Sequence, residues 1–167
     1  GNPLDSHAPL GKKIQAKATA FLQAKQSADG AWRSETYGLL KSGQSLTPFV
    51  LFALTDSLSD NTEPNEDSIQ KGMSFLRAKS DPNGVHGHAD PDFLDYPNYA
   101  TAYALRCFLR FGNEDDRPRI KKMTSYLEAQ QFSENSGFEP SSPAYGGWGF
   151  GINQRPTLSS FVDLSHT

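Results

Sequence analysis

The sequence has a single cysteine, Cys107, among 167 residues. One thiol can form no disulfide within the chain and cannot supply a cysteine-rich zinc site. No apolar run approaches the roughly 18–20 residues that a helix needs to span a bilayer. Lys and Arg number 16 against 19 for Asp and Glu, and no basic block occurs, which argues against a nucleic-acid partner.

The sequence also lacks an initiator Met, and its last residues look like the interrupted start of a helix. We therefore expect a piece of a longer protein, from which a signal peptide could have been removed. Its localisation is left open by these features. Residues 1–9 contain two prolines and no periodicity, so we expect a flexible tail or remnant there and one truncated domain over residues 10–167.

A short pattern recurs three times along the chain. It reads KATAFL at residues 17–22, KGMSFL at 71–76 and KMTSYL at 122–127. The aromatic residues of the three copies stand at 21, 75 and 126, so the intervals are 75−21 = 54 and 126−75 = 51. A period near 50 predicts a repeat fold.

Five helices are predicted, and they alternate between two kinds. The predicted spans are about 10–26, 47 onward, 65–79, 98–111 and 118–131. The first, third and fifth have one apolar face; in the first, Ile14, Ala18, Phe21 and Leu22 share that face while its lysines can point to water. The second and fourth are apolar nearly all round, which is typical of helices buried on most sides.

This alternation predicts a stack of αα-hairpins. One hairpin cannot bury its own apolar helix, but stacked hairpins can place the apolar helices in an inner layer and the one-sided helices in an outer layer. The predicted fold is therefore all-α, either an α/α solenoid or a closed α/α toroid, with repeats of about 50 residues.

Residues 17–32 carry a more specific pattern, in which Lys-Ala-x-x-Phe-Leu is followed by Gln, Asp-Gly and Trp. This pattern resembles the QW repeat of the squalene–hopene and oxidosqualene cyclases and of the related prenyltransferases. The resemblance covers about residues 12–167 and implies an α/α toroid, of which the chain would hold a partial barrel of five helices and the start of a sixth at residues 162–167. It also implies that the Gln and Trp side chains tie each outer helix to its neighbour.

The later copies of the motif are degraded. The second has Ser80 where Gln belongs and His86 where Trp belongs, and the third reaches its Gly-Trp late. The residues that the resemblance makes structural motif positions are Gln26, Gly30, Trp32, Gln131, Gly147 and Trp148.

The resemblance also implies where catalytic acids would stand. Class II cyclases protonate a polyene with an Asp-x-Asp-Asp motif, which in squalene–hopene cyclases directly follows GGWGAF. Here GGWGF is followed by Gly151, and Asn153 and Gln154 stand at the other acid positions. None of these side chains donates a proton as a carboxylic acid does. We therefore expect isoprenoid binding or processing, with a terpenoid-cyclase-like isomerase or lyase activity left unproven.

An acidic stretch near the middle of the chain offers other candidates. Asp90, Asp92 and Asp95 follow His86 and His88, and such a set can bind a divalent metal or act as acid and base. The alternative is a solvated loop with Asp-Pro turns, and the spacing matches no established metal motif. Candidate catalytic residues are thus these three carboxylates and His166, and no cofactor is predicted.

Aromatic residues cluster on or near the inner helices. At helical spacing they are typical of a core, but the core of a toroid surrounds a cavity, so they are also candidates for its lining. The cavity candidates are Phe49, Phe52, Tyr96, Tyr99, Tyr103, Trp148 and Phe150.

Two functions stay open. The chain is either an isoprenoid-binding or isoprenoid-processing repeat protein, or a non-catalytic scaffold that binds a partner. In both cases the inner-helix face of a truncated toroid would expose apolar surface. We expect the rest of the toroid or a second copy to cover that face, the latter as a homo-oligomer.

Overall fold

A computed structural model of the chain describes residues 8–56, 66–88, 95–151, 156–158, 160 and 162–163. These residues form five α-helices and no β-strand. The helices are α1 (Ala8–Ala24), α2 (Leu46–Asp56), α3 (Glu66–Lys79), α4 (Pro97–Phe111) and α5 (Arg117–Gln130), joined by single-turn 3₁₀ helices at Gly38–Leu40, Glu114–Asp116 and Glu134–Ser136. Each predicted helix end lies within two residues of the observed one. No described helix is long and apolar enough to cross a bilayer.

Helix starts follow the sequence signals. Pro97 is the first residue of α4 and Pro118 the second of α5, positions where the missing N–H of proline loses no helical bond. Helix α3 begins with Glu66 and Asp67 and ends with basic residues, so its charges complement the helix dipole. The starts of α4 and α5 and both ends of α3 therefore carry residues that favour a helix at those positions.

The main core lies between α2, α3, α4 and α5. Helix α2 packs against α3 and α4, and α4 packs against α3 and α5. The buried residues of this core are Ala31, Leu51, Met73, Phe75, Leu76, Ala104, Cys107, Phe108 and Met123. Cys107 is a core residue, as predicted, and burial raises the pKa of its thiol to about 12.

Helix α1 is attached differently. Its Leu22 packs into a smaller cluster with Trp32, Val50 and Leu54. The prediction that α1 buries its apolar face is otherwise wrong, because Ile14 and Phe21 are each 60% exposed. The helix also begins at Ala8, inside the segment expected to be a tail, while residues 1–7 lie outside the described part. Val162 and Asp163 are not helical, and residues 164–167 of the expected sixth helix are not described.

Three turns closed by equivalent backbone hydrogen bonds follow α1, α3 and α5, which we call the motif helices because each carries one copy of the short pattern; the third turn is longer and contains the 3₁₀ helix Glu134–Ser136. In the first turn Ser27 N donates to Ala31 O (2.8 Å), in the second Asp81 N donates to Val85 O (3.0 Å), and in the third Phe132 N donates to Gly147 O (2.9 Å). Each turn has a glycine at positive φ directly before its accepting residue, namely Gly30 (88°), Gly84 (81°) and Gly146 (83°), and the longer third turn has a second at Gly137 (84°). The repeats detected in the sequence are therefore repeats of structure.

The first two turns lie directly against the next motif helix. A Cβ added to Gly30 would be 2.1 Å from Lys71 O on α3, and one added to Gly84 would be 3.0 Å from Lys122 Cβ on α5. Lys71 and Lys122 occupy the same position of the repeat. Glycine is required here both for its positive φ and for the close approach of two backbones.

Candidate functional site

The first turn is secured by the amide of Gln26. Its Nε2 donates to Gly30 O (3.0 Å) and to Ser68 O (2.9 Å) at the start of α3. The Ser68 hydroxyl donates in return to Gln26 Oε1 (2.7 Å). The amide therefore uses its donors and its acceptor to join the end of α1 to α3.

The two tryptophans make equivalent hydrogen bonds. Trp32 Nε1 donates to Leu22 O (2.7 Å), and Trp148 Nε1 donates to Leu127 O (2.8 Å), the same position of the repeat. Gln131 Nε2 donates to Gly146 O (2.9 Å), as Gln26 does to Gly30 O. The motif residues thus lie where a motif helix meets its turn. We call each turn, together with the helix surface that it covers, a joint, and number the joints by their turns. Trp148, which was also a cavity candidate, lies in the third of these joints.

At the second turn charged side chains make the connections to α5: Lys122 Nζ donates to Pro82 O (2.6 Å), and Asp116, directly before α5, binds Arg77 of α3. Asp116, 1% exposed, forms salt bridges with Arg77 of α3 (2.8 Å) and Arg119 of α5 (2.6 Å). The hydrogen bonds from Arg77 hold the pKa of this carboxyl below its usual value. The sequence analysis did not predict this network, because Arg77 and Asp116 are 39 residues apart and no motif connects them.

His86 occupies the tryptophan position of the second turn. Its side chain is fully buried, lies 6.4 Å from the ring of Phe108, and has no hydrogen-bond partner for either ring nitrogen among the described residues. Burial lowers its pKa to about 3, so the imidazole is neutral near pH 7.

The acidic stretch does not form a metal site in the described part of the chain. His88 is at the surface, with Nδ1 3.9 Å from Asp81 Oδ2, whereas His86 is buried. No three His, Cys, Asp or Glu side chains that could hold a metal lie together among the described residues. Asp90, Asp92 and His166 lie outside them.

Asp95 is the one catalytic candidate that the structure places. It is 2% exposed and accepts hydrogen bonds from the hydroxyls of Ser42 and Ser45 and from Tyr96 N (2.9 Å). These bonds join the loop before α2 to the residues before α4. Asp95 is therefore the acceptor at the centre of a polar network that fixes the N-terminal ends of both helices.

Aromatic side chains gather beside this network. The ring centroid of Phe49 lies 6.2 Å from that of Tyr99 and 5.3 Å from that of Tyr103. Tyr99 and Tyr103 are 4.7 Å apart, and Tyr103 is 5.9 Å from Phe52. Burial and the neighbouring Tyr103 raise the pKa of Tyr99 to about 12. Arg106 closes the far end of the cluster, with its guanidinium carbon 3.6 Å from the Phe52 ring centroid.

The loop after the third turn brings one more ring to this cluster. Asn98 at the start of α4 donates from its backbone to Phe150 O (3.2 Å) and from Nδ2 to Gly149 O (2.8 Å). These bonds hold Phe150 against Tyr96, with ring centroids 5.7 Å apart and the rings stacked. The loop is therefore fixed to the same end of α4 as Asp95.

These groups enclose an apolar pocket of about 400 Å³. Its lining residues are Leu40, Ser45, Leu46, Phe49, Tyr96, Tyr99, Phe150 and Asp163. Ser45 connects the pocket to the Asp95 network, and Asp163 is the only charged residue of the lining among the residues that the structure describes. We call it the aromatic pocket. Four of the cavity candidates line it, and Tyr103 and Phe52 extend the same cluster.

At the position where the resemblance places the first catalytic acid, the chain has a glycine, Gly151. Gly151 has a φ of 84°, and a Cβ added there would lie 2.3 Å from Asn98 Oδ1 and 2.6 Å from the Tyr126 hydroxyl. No carboxylate side chain fits at this position without displacing those groups. Asn153 and Gln154 lie outside the described residues.

A second groove, of about 800 Å³, lies between the second turn and α5. Of the predicted site residues that the structure describes it contains only His88, and its walls carry Asp81, Lys121 and Lys122. It brings together none of the aromatic candidates, so the aromatic pocket is the better candidate site.

No protein-family model matches the chain, and neither a curated protein nor a solved structure is significantly similar to it. Function is therefore inferred from the residues and their geometry. They provide one candidate binding site, the aromatic pocket, which the buried Asp95 network holds in place.

Proposed function

We propose that the chain is part of an α/α toroid of the terpenoid-cyclase and prenyltransferase-like kind, and that it binds an isoprenoid chain in the aromatic pocket. The observation that carries this proposal is the convergence of Phe49, Tyr96, Tyr99 and Phe150 on one pocket. The repeated turns support the toroid, because each of the first two packs on the next motif helix in the same register.

The chemistry of the walls favours an apolar, branched ligand. Ligand pockets are typically about 300–1,000 Å³ with mostly apolar walls, and the aromatic pocket has that character. Flat rings at several inclinations, such as the 81° between Phe49 and Tyr103, offer faces and edges to methyl groups that project at intervals. A polyprenyl chain carries such methyl groups along its length.

The charge of the lining favours a neutral ligand. Asp163 lines the pocket, and no Lys or Arg does among the described residues. A diphosphate placed there would be repelled by the Asp163 carboxylate and would find no Lys or Arg to pair with in the described part of the lining. We therefore propose a polyprenol or a polyene hydrocarbon as the ligand class in preference to a prenyl diphosphate.

The geometry at Gly151 favours binding over proton-initiated cyclisation. The acid that would start that reaction has no room where it is expected, since Asn98 and Tyr126 occupy the space. The same observation favours the second candidate function, a non-catalytic scaffold. The two differ in one property, because only the first requires the aromatic pocket to take up an isoprenoid.

Calorimetric titration with farnesol, farnesyl diphosphate and the unbranched dodecanol distinguishes these functions. We expect saturable 1:1 binding of farnesol, weaker binding of the other two, and about tenfold weaker farnesol binding by Phe49→Ala. Tyr37→Ala is the control, since Tyr37 is 69% exposed and does not line the pocket. Equal binding of all three ligands, or no loss with Phe49→Ala, would overturn the proposal and leave the scaffold function.

A further inference from the structure

The series of repeat turns has two open ends among the described residues. The first turn packs on α3 and the second on α5, but no described atom lies within 4 Å of a Cβ added to Gly146 of the third turn. At the other end, α1 is a motif helix on which no described turn packs. One end therefore presents a turn and the other presents the kind of surface that such turns cover.

The surface of α1 matches the covered surface of α3 position by position. On α3, the face under the first turn is buried: Ser68 is 6% and Phe75 3% exposed, and Gly72 is buried. The equivalent residues of α1, 54 positions earlier, are Ile14, Ala18 and Phe21, and all three are exposed. The exposed apolar face of α1 is thus the face that is covered wherever a turn is present.

Shape at the open ends is also complementary. A Cβ added to Gly72 would lie 3.5 Å from Trp32 Cζ3, so the indole of the first turn lies over the smallest residue of α3. Ala18, another small residue, is exposed at that position on α1. Trp148 of the third turn is half-buried, whereas Trp32 is 3% exposed. The third turn therefore presents a large ring and α1 a small side chain, as in the first joint.

Charge at the two ends is opposite. Residues 8–25 contain four lysines and no acidic residue, while residues 131–151 contain Glu134 and Glu139 and no Lys or Arg. Opposite charges on two surfaces favour their encounter and disfavour the pairing of either surface with itself.

From these observations we propose that a second copy of the chain docks head-to-tail, its third turn covering α1 of the first copy as the first turn covers α3. This surface is distinct from the inner-helix face, and the proposal does not depend on isoprenoid binding. Because the contact joins two different surfaces, each copy keeps one open surface of each kind. Such contacts close into rings or extend as filaments according to the rotation between copies.

Sedimentation velocity over a concentration series, from about 1 μM to about 1 mM, tests this proposal across the range of moderate to weak affinities. We expect the wild-type sedimentation coefficient to rise with concentration. Ala18→Arg places a guanidinium where the Trp148 ring would lie and should weaken association at least about tenfold. Ala20→Arg adds the same charge on the same helix and should associate like wild type, because its equivalent Ser74 stays exposed in the first joint.

The direction of docking is tested by mixing variants. An Ala18→Arg copy keeps its third turn, so it should still bind immobilised wild-type chain while failing to bind itself. A symmetric α1-to-α1 contact predicts that Ala18→Arg binds neither. Circular dichroism confirms that each variant is folded. A wild-type chain that stays monomeric throughout, equal effects of the two Arg substitutions, or failure of the mixed binding would each overturn the proposal.

Discussion

Gln26 holds the first turn against α3 and Trp32 bonds it to α1, whereas the second turn has Ser80 and His86 at the same positions. Both turns nevertheless have the same backbone hydrogen bond and a glycine at positive φ. At the second turn Lys122 of α5 donates to Pro82 O, and Arg77 of α3 pairs with Asp116 directly before α5. The backbone of the joint is therefore constant, and the side chains that secure it are exchangeable.

The exchange is coordinated across the joint. Trp32 lies over Gly72 on α3, while the equivalent of Gly72 on α5 is Met123, which is fully buried. The first joint thus has the large indole of Trp32 and a glycine, Gly72. The second joint has the smaller imidazole of His86 and a methionine, Met123. Close packing predicts such an exchange wherever the two side chains share space, because the summed volume at a joint is more constrained than either side chain.

The largest expected effect comes from replacing the glycine of the first turn. Gly30→Ala should lower the free energy of unfolding by about 3–4 kcal/mol, because the methyl group meets Lys71 O and the positive φ is strained. Gly146→Ala has the strain without a described contact and should lower it by about 1 kcal/mol. Urea unfolding measures both, and equal losses would mean that the first joint does not require close approach.

Removing the charge at the second joint should have the next largest effect. Asp116→Asn weakens two salt bridges of a buried carboxylate and should lower the free energy of unfolding by about 2–3 kcal/mol. Asp115→Asn is the matched control at an exposed neighbouring position, where a change within about 0.5 kcal/mol is expected. If urea unfolding finds the two variants alike, Asp116 does not secure the second joint.

Acid should act on the second joint through His86. The folded-state pKa of about 3 lies below the usual 6.5, so between these values the unfolded chain binds the extra proton. Protonation of His86 in the unfolded chain therefore leaves the free energy of unfolding unchanged above about pH 6.5. Below that pH it lowers the free energy of unfolding by about 1.4 kcal/mol per pH unit, which amounts to about 2 kcal/mol at pH 5.

Urea unfolding between pH 7 and pH 5 measures this slope. His86→Phe should remove it, while His88→Gln should keep it, since His88 is at the surface. An unchanged slope in His86→Phe would show that another group is responsible.

The smallest expected effect is the coupling between the two sides of the second joint. His86→Trp should overpack against a joint that contains Met123, and a combined Met123→Ala should relieve this, so the double variant is about 1 kcal/mol more stable than additivity predicts. A double-mutant cycle measured by urea unfolding gives the coupling. Additive effects would show that the two positions do not share space.

The helices and their repeat could be predicted because the signals are local. The period of KATAFL, KGMSFL and KMTSYL and the turn glycines are read within a few residues, and the helix ends agree within two. The burial of α1 could not be predicted in the same way. A face is apolar whether or not anything covers it, so the exposure of Phe21 depends on what packs there and not on its helix.

The residue types of the candidate site could be predicted from the sequence, but the contacts that bring them together could not. The aromatic candidates were recognised by type, but the side chains that fix them act across long separations. Ser42 and Ser45 reach Asp95 over 53 and 50 residues, and Arg77 reaches Asp116 over 39. No spacing rule connects such pairs, so the Asp95 network could be found only in the structure.

Photolabelling with a diazirine-bearing polyprenol tests the proposed binding function most directly. We predict saturable labelling, competed by farnesol, on the peptides that contain Phe49, Tyr99 and Phe150. Labelling confined to the exposed face of α1, or labelling anywhere that excess farnesol does not reduce, would contradict it.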